Sequence, residues 1–418
     1  MPGMPTKQAQ PRARVLSVGD ELVLGRVVDT NATFLCRLLT DRGFRVLGSR
    51  QVGDGLADLV EALRASAADT ELVLVSGGLG PTDDDRTRHA LAEAMGSELR
   101  EHAPSWAAIV RRYAQVAPGR EMPANNRRQA LVPRGAATLA NDRGTAPGMI
   151  GTVGKSLVAV FPGVPHEMRA MAERFAATLP RRFPRLRVPV VGEVFFSGIG
   201  ESAAQQRLGD LLTEEDPMVG ITVSELGHIT LRVVGTKAQV ASRARRMRTA
   251  LAGHLLPAAG LAPSLVAALA AARRTITAAE SCTGGHIAAQ LTAVPGASAV
   301  LRSAFIAYHP EAKEELLGVA RGVARRQTVS EACVRAMAAG ALTAAGAGIA
   351  IASTGYAGPG GGTASDPVGT VWVGVATAQG TAARRVFIQG VRERIQARAA
   401  AAGLQLAWDA LAGRVTLG

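Results

Sequence analysis

Three side chains that could act as nucleophiles stand in a row in the segment TAAESCTGG: Ser281, Cys282 and Thr283. The pattern predicts that a strand ends here and that a helix begins at Gly284 and Gly285. Backbone N–H groups at a helix N-terminus attract anions, so this turn could hold a phosphate or an oxyanion. The alternative is a structural turn in which Ser281 or Thr283 caps the helix.

A base for such a nucleophile is available without a histidine. Tyr308 ends a predicted strand, and Lys313 lies in the first turns of the next predicted helix. A lysine can accept a hydroxyl proton only if its pKa, about 10.4 when free, is lowered by burial or nearby positive charge. Lys313 is one of only four lysines, which favours a specific role over a surface salt bridge with Glu314 or Glu315.

A glycine-rich loop, STGYAGPGGGTASDPVG, lies between two apolar segments that are predicted to be strands. Its centre contains Gly358, Gly360, Gly361 and Gly362, and successive N–H groups of such a loop can form a concave anion site. Thr354 offers a hydroxyl at the start of the loop. A flexible linker is the alternative, but the flanking strands favour a loop that binds substrate.

A second glycine loop, VSGGLGPTDDDRTR, follows an apolar strand and precedes a helix near the start of the chain. It could cradle an anion, although a single glycine loop is a weak indication. Asp83, Asp84 and Asp85 would repel a phosphate unless a divalent cation lay between them, and their hard oxygens suit magnesium or manganese. The alternative is that these carboxylates complement the helix dipole.

The composition limits the class of protein. With 418 residues, of which 47% are hydrophobic, the chain is long enough for two or three domains with substantial cores. Its cysteines, Cys36, Cys282 and Cys333, form neither a disulfide framework nor a zinc-binding pattern, which fits a reducing compartment. No segment has the pattern of a membrane helix or a signal peptide, so we expect a cytoplasmic protein without membrane contacts.

The net charge of +13 comes almost entirely from arginine. These arginines are scattered through every segment, and few aromatic residues lie between them. We therefore do not expect nucleic-acid binding to be the main function.

The order of the predicted elements divides the chain. Strands and helices alternate in both halves, which indicates α/β folds, with a doubly wound parallel sheet in the first half. A small α+β module lies between them, and HLLPAAGLAPS is typical of a linker. We expect a disordered tail over 1–13, a first α/β domain over 14–172, the small module over 173–255, a linker over 256–263 and a second α/β domain over 264–418.

The second half resembles the C-terminal domain of the CinA family. Five motifs occur in register over about residues 262–400: AESCTGG, Y-x-x-E-A-K, VSE, TGxAGPGGGT and PVGTV. Stand-alone members are nicotinamide mononucleotide deamidases, so the resemblance implies hydrolysis of the carboxamide of that nucleotide to nicotinate mononucleotide and ammonia, without a cofactor. It implies that Ser281 is the nucleophile and that Tyr308 and Lys313 activate it. Cys282, Thr283 or a directly activated water remain alternatives, since a thiol is intrinsically the stronger nucleophile.

The same resemblance implies a set of substrate-binding residues: Thr283, Gly284, Gly285, Thr354, Gly358, Gly360, Gly361, Gly362 and Arg392. Arg392 would pair with the nucleotide phosphate, for which the guanidinium has a bidentate geometry. The chain departs from the usual residues of the family at His309-Pro310, Arg326-Gln327, Asp366 and Val391.

The first half, over about 14–172, resembles the molybdopterin-binding-like domain of full-length CinA proteins. The motifs are GDELVLG, DTN, GGxG-x4-D, NNRRQALVP, GTAPG and PGVPxEM, and GIGES extends the likeness to about residue 236. The resemblance implies an ADP-ribose pyrophosphatase that uses Mg, Mn or Co and yields AMP and ribose 5-phosphate. The implied site comprises phosphate contacts at Gly77, Gly78, Gly80 and Thr82, ribose contacts at Asp29 and Asn31, and metal or water contacts at Asp84 and Asp85.

Two hypotheses about function follow. One is a homodimeric enzyme of pyridine-nucleotide salvage that acts on nicotinamide mononucleotide and on ADP-ribose. The other is a nucleotide-binding protein without turnover that regulates competence or the response to DNA damage. A third hypothesis, a pterin-binding protein of cofactor synthesis, is disfavoured by the motifs of the second half.

Overall fold

The computed structural model of the protein describes residues 10–214 and 217–418. The chain forms two compact units, of which the first ends at Val190 and the second runs from Val191 to Gly418. The predicted disordered tail, residues 1–13, lies outside the described residues as far as residue 9, and the first strand already begins at Arg12. In the described part of the chain, no helix combines the length and the apolar character needed to cross a bilayer.

The first unit contains eight strands, seven α-helices and a 3-10 helix (Ala124–Ala130) among its described residues. Its strands are β1 (Arg12–Val18), β2 (Arg45–Val52), β3 (Leu72–Ser76), β4 (Leu99–Glu101), β5 (Leu131–Pro133), β6 (Ala137–Leu139), β7 (Gly148–Val153) and β8 (Ser156–Phe161). Its helices are α1 (Asp20–Val23), α2 (Thr30–Asp41), α3 (Leu56–Ala68), α4 (Thr87–Ala94), α5 (Ala103–Val116), α6 (Pro165–Ala176) and α7 (Leu179–Arg182).

The main sheet of this unit has the strand order β2-β1-β3-β8-β7-β6, in which the first four strands are parallel. Alternate residues of its strands enter two different cores, because successive side chains point to opposite faces. Val73 and Val75 pack with α3 and α4, whereas Leu72 and Leu74 pack with α2 and α6. Helices on both faces confirm the predicted doubly wound fold.

The boundary predicted at residue 172 falls inside α6. Phe175 and Leu179, which follow that boundary, are buried in the same core as the strands of the first sheet. The first unit therefore extends further than the sequence pattern indicated, because the amphipathic helix and the turn after it complete one face of the sheet.

The second unit begins with a small α+β module. Its elements are β9 (Val190–Phe196), α8 (Glu201–Leu208), α9 (Asp210–Thr213), β10 (Met218–Val223), β11 (Ile229–Gly235), α10 (Lys237–Ala250) and β12 (Leu255–Leu256). The strand order is β10-β11-β9-β12. One face of this sheet packs on α8 and α10 through residues such as Phe196, Leu231 and Met247. The predicted linker over 256–263 is short, because β12 ends at Leu256 and the next helix begins at Leu261.

The rest of the second unit is an α/β domain. Its strands are β13 (Ile276–Glu280), β14 (Leu301–Ile306), β15 (Ile349–Gly355), β16 (Thr370–Thr377) and β17 (Gly380–Phe387). Its helices are α11 (Leu261–Ala271), α12 (His286–Thr292), α13 (Pro310–Leu317), α14 (Arg321–Arg326), α15 (Glu331–Ala345) and α16 (Arg392–Leu411). The strand order is β14-β13-β15-β16-β17, with the first three strands parallel. Cores on both faces of this sheet confirm the predicted α/β fold.

Candidate functional site

The predicted catalytic segments of the second unit follow three neighbouring strands. Glu280, the last residue of β13, lies in register with Ile306 of β14 and Ser353 of β15. The N–H of Ser281 donates to the carbonyl of Ser353 over 3.1 Å, and the N–H of Ala307 donates to the carbonyl of Glu280 over 2.9 Å. Because parallel strands end at one edge of the sheet, the segments after Glu280, Ala307 and Ser353 meet there.

The turn after Ser281 is organised by Glu280, a fully buried carboxylate that the sequence analysis did not single out. Its Oε2 accepts hydrogen bonds from the hydroxyl of Thr283 at 2.7 Å and from the N–H groups of Gly285 at 2.9 Å and Ile287 at 3.0 Å. Its Oε1 accepts from the N–H of Ala288 at 2.9 Å. The available signal was a glutamate at the end of the otherwise apolar strand ITAAE.

This arrangement corrects the expectation that free N–H groups at the start of α12 hold an anion. The N–H of Gly285 is bonded to Glu280, and that of Gly284 donates to the carbonyl of Ser281 over 3.1 Å. A carboxylate of the chain itself therefore satisfies the helix N-terminus. The substrate contacts predicted for Thr283, Gly284 and Gly285 stay predictions, but all three residues already bond within the turn.

The environments of the three candidate nucleophiles differ. The hydroxyl of Thr283 is buried between Glu280 and the hydroxyl of Ser353, 2.6 Å away. Burial raises the pKa of the Cys282 thiol to about 12, which keeps it in the unreactive thiol form at neutral pH. The hydroxyl of Ser281 has no hydrogen-bond partner among the described residues, so it is the one left available for a base. The geometry favours Ser281.

Lys313 lies inside the protein rather than on its surface. Its side chain is only 2% exposed, and burial lowers the pKa of its amine below the ordinary range of lysine. Its Nζ donates to the hydroxyl of Thr328 over 2.7 Å, and the hydroxyl of Thr354 donates to the carbonyl of Thr328 over 2.5 Å. The alternative of a surface salt bridge with Glu314 or Glu315 is wrong, because the amine is buried and Glu314 pairs with Arg325 at 2.7 Å.

An electrostatic effect relates Lys313 to the nucleophile segment. The charge of Lys313 opposes the rise in the pKa of Cys282, the residue that follows Ser281. Thr354 adjoins Ser353, whose carbonyl accepts from Ser281. Thr328 therefore links the lysine to the end of the strand that pairs with the nucleophile segment.

Arg392 connects two other predicted site segments. One of its guanidinium nitrogens donates to the hydroxyl of Tyr308 over 2.6 Å, and the other donates to the carbonyl of Gly358 over 2.6 Å. Tyr308 and Arg392 are exposed, as are the three later glycines of the loop, Gly360, Gly361 and Gly362. The structure thus brings the arginine, the tyrosine and the glycine loop together at the surface of the domain.

The glycine loop of the first unit is also closed by a carboxylate. Asp85 accepts from the N–H of Gly80 at 2.7 Å and from the N–H of Thr82 at 2.9 Å, and the Thr82 hydroxyl donates to the same group. The N–H of Gly77 donates to the carbonyl of Phe161 over 3.0 Å. Among the described residues, Gly78 is therefore the only one of the four predicted phosphate contacts whose N–H remains free.

Two further features fix this loop. Gly77 has a φ of +112°, and a Cβ at this position would lie 2.3 Å from the carbonyl oxygen of Val18, so a side chain cannot be accommodated. Arg88, which the sequence analysis missed, is buried and donates to the carbonyls of Leu79 at 2.6 Å and Gly80 at 2.8 Å. Burial lowers the pKa of Arg88 to about 10.

The predicted metal pair does not form a ready-made metal site. Asp85 uses both carboxylate oxygens inside the loop, whereas the side chain of Asp84 is exposed. Asp20 and Asp54 accept from each other's N–H groups at 3.1 Å, and burial together with neighbouring carboxylates raises the pKa of Asp54. Even so, no group of three or more described His, Cys, Asp or Glu residues is arranged to hold a metal ion.

The predicted ribose contacts lie at a small cavity of about 140 Å³ beyond β1 and β3. Asp29 accepts from the N–H of Ala32 over 2.8 Å and so caps α2. The amide nitrogen of Asn31 donates to the hydroxyl of Ser76 over 3.0 Å and to the carbonyl of Gly163 over 2.7 Å. The structure brings Asp29 and Asn31 to the same cavity, and their contact with ribose remains a prediction.

Three family models match consecutive parts of the chain. They describe a probable molybdopterin binding domain over residues 14–182, a damage-inducible protein CinA KH domain over 193–253 and a CinA C-terminal domain over 258–411. A CinA-like protein of Anaeromyxobacter sp. strain Fw109-5 is 41% identical, and the alignment covers 94% of this chain and 97% of that protein. The chain belongs to the CinA family.

Further CinA proteins are similar to this chain or to a part of it. A CinA-like protein of Akkermansia muciniphila is 39% identical over 87% of this chain and 88% of its own length. The crystal structure of the competence damage-inducible protein A (ComA) of Klebsiella pneumoniae is 40% identical and covers 36% of this chain and 95% of its own, with a TM-score of 0.35. Membership of the CinA family confirms the resemblance identified from the motifs in both halves.

Proposed function

We propose that the C-terminal domain of this CinA-family protein hydrolyses the carboxamide of nicotinamide mononucleotide. The hydroxyl oxygen of Ser281 attacks the amide carbon while the neutral amine of Lys313 takes its proton. Lys313 then gives that proton to the leaving nitrogen, ammonia departs, and water cleaves the resulting ester to release nicotinate mononucleotide and Ser281. The observation that supports this proposal most strongly is a buried lysine that pairs with no carboxylate of the described residues, together with a Ser281 hydroxyl that has no hydrogen-bond partner among those residues.

Arg392 and the glycine loop would hold the other end of this substrate. The two donors that Arg392 now gives to Tyr308 and Gly358 are the pair that a phosphate can accept in a bidentate contact. On binding, the phosphate replaces these acceptors, and the freed hydroxyl of Tyr308 joins Lys313 in activating Ser281. We expect Thr354 and the loop Gly358–Gly362 to contact the part of the substrate between its two ends.

The test of this proposal measures ammonia released from nicotinamide mononucleotide. Ser281→Ala removes the attacking oxygen, so release should fall by at least about a thousandfold. Cys282→Ala is the matched control on the next residue and should keep most of the activity, because the thiol is not ionised. Unchanged release by Ser281→Ala would exclude the serine mechanism, and loss of release in Cys282→Ala alone would assign the reaction to the thiol.

For the N-terminal domain we propose hydrolysis of ADP-ribose to AMP and ribose 5-phosphate. Carboxylates at the edge of the sheet, among them Asp20, Asp54 and Asp84, would repel a diphosphate. We therefore expect a divalent cation, Mg, Mn or Co, to bind together with the diphosphate, since the described residues hold no preformed metal site. The remaining free N–H, that of Gly78, and the loop around it would face the phosphates.

AMP release from ADP-ribose, with and without added divalent cation, tests the second activity. We expect release only with the cation, and removal by a chelator should abolish it. Release that persists in excess chelator would contradict the argument from charge repulsion.

Because the expected active form is a homodimer, the same preparation should be run on a sizing column calibrated for one and two chains.

The alternative is a nucleotide-binding regulator without turnover. The family's association with competence and the DNA damage response motivates it, and the departures at His309 and Val391 would favour it by changing polarity near the site. Both side chains are largely exposed, so neither fills space around Lys313 or Thr328. This observation favours a working hydrolase over the alternative.

A further inference from the structure

The cavity beside β1 and β3 contains two buried polar atoms without partners. The side chain of Ser17 is 1% exposed, and its hydroxyl has no hydrogen-bond partner among the described residues. The Oδ1 of Asn31 is likewise buried and unpaired. Both residues line the cavity. An unpaired buried polar atom costs free energy, so two of them at one cavity indicate groups kept for a ligand.

The hydrogen-bonding roles of these two atoms follow from their neighbours. The amide nitrogen of Asn31 is committed to Ser76 and Gly163, which fixes the orientation of the amide and leaves its oxygen as an acceptor. The hydroxyl of Ser76 donates to the carbonyl of Pro162 over 3.2 Å. The hydroxyl of Ser17 can both donate and accept. The cavity therefore offers an acceptor from Asn31 and a donor from Ser17.

The rest of the lining argues against a phosphate and for a ring. Glu21 and Asp29 line the same cavity and would repel an anion. Leu22, Val27 and Val28 provide apolar surface, and Val28 is 82% exposed although it is hydrophobic. A cavity of about 140 Å³ is smaller than the roughly 300–1,000 Å³ of sites that enclose a whole ligand. Its size suits one neutral ring.

We propose that this cavity selects a planar heterocycle that carries an exocyclic amino group, and that in this chain the heterocycle is the adenine of ADP-ribose. The amino group donates to Asn31, the adjacent ring nitrogen accepts from Ser17, and Val27 and Val28 cover one face of the ring. This inference rests on the proposed pyrophosphatase for the choice of adenine. It assigns Asn31 to the base rather than to the ribose.

The first arm of the test changes only the ligand. AMP and IMP differ at the position where the amino group of adenine is replaced by a carbonyl, which would place an acceptor against the oxygen of Asn31. Calorimetric titration of the full-length protein should show that IMP binds at least about tenfold more weakly than AMP. Equal affinities for AMP and IMP would overturn the proposal.

The second arm removes the hydroxyl of Ser17. Ser17→Ala should weaken AMP about tenfold and should not lower the melting temperature, because the hydroxyl lost is unpaired in the free protein. Ser197→Ala is the matched control, since Ser197 is also buried with an unpaired hydroxyl but belongs to the small module. A lower melting temperature with unchanged AMP affinity in Ser17→Ala would make the hydroxyl structural and contradict the proposal.

These measurements separate the cavity from the reaction. Selective binding of AMP without any hydrolysis of ADP-ribose would support the adenine site and exclude the pyrophosphatase activity. Hydrolysis of ADP-ribose and of its hypoxanthine analogue at equal rates would support the pyrophosphatase and exclude the selective adenine site. A free aminopterin ring that binds in a Ser17-dependent manner while AMP does not bind would overturn adenine as the ligand.

Discussion

The amine of Lys313 donates a hydrogen bond to the hydroxyl of Thr328, 2.7 Å away, and no carboxylate of the described residues pairs with it. A buried ammonium without a counter-ion is costly, so the neutral amine is favoured. The hydrogen bond with Thr328, whose carbonyl accepts from Thr354 near the end of β15, holds this amine in place.

The pH dependence of deamidation should report Lys313. Only the neutral amine can take a proton from Ser281, and burial lowers the pKa of Lys313. The value of kcat/KM should therefore rise with pH and level off with an apparent pKa below the roughly 10.4 of free lysine. Steady-state rates measured over a range of pH test this, and a limb that rises only above pH ~10.4 would contradict it.

The stability of the second unit should depend on the same group. The folded pKa of Lys313 is below the unfolded one, so between the two values the unfolded chain binds more protons. The free energy of unfolding should then increase as the pH rises through that window. Lys313→Met should be more stable than the parent near neutrality, with a difference that shrinks towards pH ~10.4. Lys155→Met, at an exposed site, is the control and should change stability by less than about 0.5 kcal/mol.

Replacing Glu280 should loosen the turn that carries Ser281. Glu280→Gln substitutes a donor for one of two oxygens that together accept four hydrogen bonds, and at least one buried N–H loses its partner. We expect a loss of about 1–3 kcal/mol in urea unfolding. The exposed Glu311→Gln should cost no more than about 1 kcal/mol. Equal losses for the two variants would show that Glu280 has no special role.

Substitution of Arg392 should affect the nucleotide substrate more than the nucleoside substrate. Arg392→Ala removes the expected phosphate contact, so kcat/KM for nicotinamide mononucleotide should fall about 10- to 100-fold. The rate with nicotinamide riboside, which lacks the phosphate, should change much less. Arg392→Lys should restore only part of the loss, because lysine cannot form the bidentate contact. A similar fall for both substrates would place the function of Arg392 elsewhere.

Variants of Asp84 and Asp85 should show whether each carboxylate acts in ADP-ribose hydrolysis or in the stability of the loop. Asp85→Asn removes an acceptor of Gly80 and Thr82, so it should lower both the melting temperature and ADP-ribose hydrolysis. The side chain of Asp84 is exposed, so Asp84→Asn should leave the melting temperature unchanged. It should reduce cation-dependent hydrolysis about tenfold or more. If only Asp85→Asn affected hydrolysis, the cation would not depend on Asp84.

Much of the architecture could be predicted from periodicity. The alternation of apolar strands with amphipathic helices determined both α/β folds. This order places Ser281 and Tyr308 just after strands, and Thr354 near the end of a strand, at one edge of the sheet. The scarcity of lysine pointed to Lys313. These inferences succeeded because they depend on local pattern and on the rules of parallel sheets.

Other features depend on contacts between distant residues or on the fit within a turn. Spacing alone did not show that Glu280 and Asp85 would turn back onto N–H groups of their own loops. The burial of Phe175 and Leu179 against the first sheet moved a boundary that composition had placed at residue 172. The unpaired atoms of Ser17 and Asn31 were also hidden, because a missing partner is a property of three-dimensional packing.

Both glycine turns are bound by a carboxylate five residues away, Gly285 by Glu280 and Gly80 by Asp85. Such a tethered group acts as an intramolecular competitor, whose effective concentration is set by the short chain between donor and acceptor and reaches about millimolar or more. Inorganic phosphate or sulfate should therefore bind these turns weakly, because the N–H groups of Gly285 and Gly80 already donate to a carboxylate. Only a ligand that gains affinity from further contacts, through a ring or with an arginine, can compete with the carboxylate of the turn. Each turn therefore discriminates against simple anions.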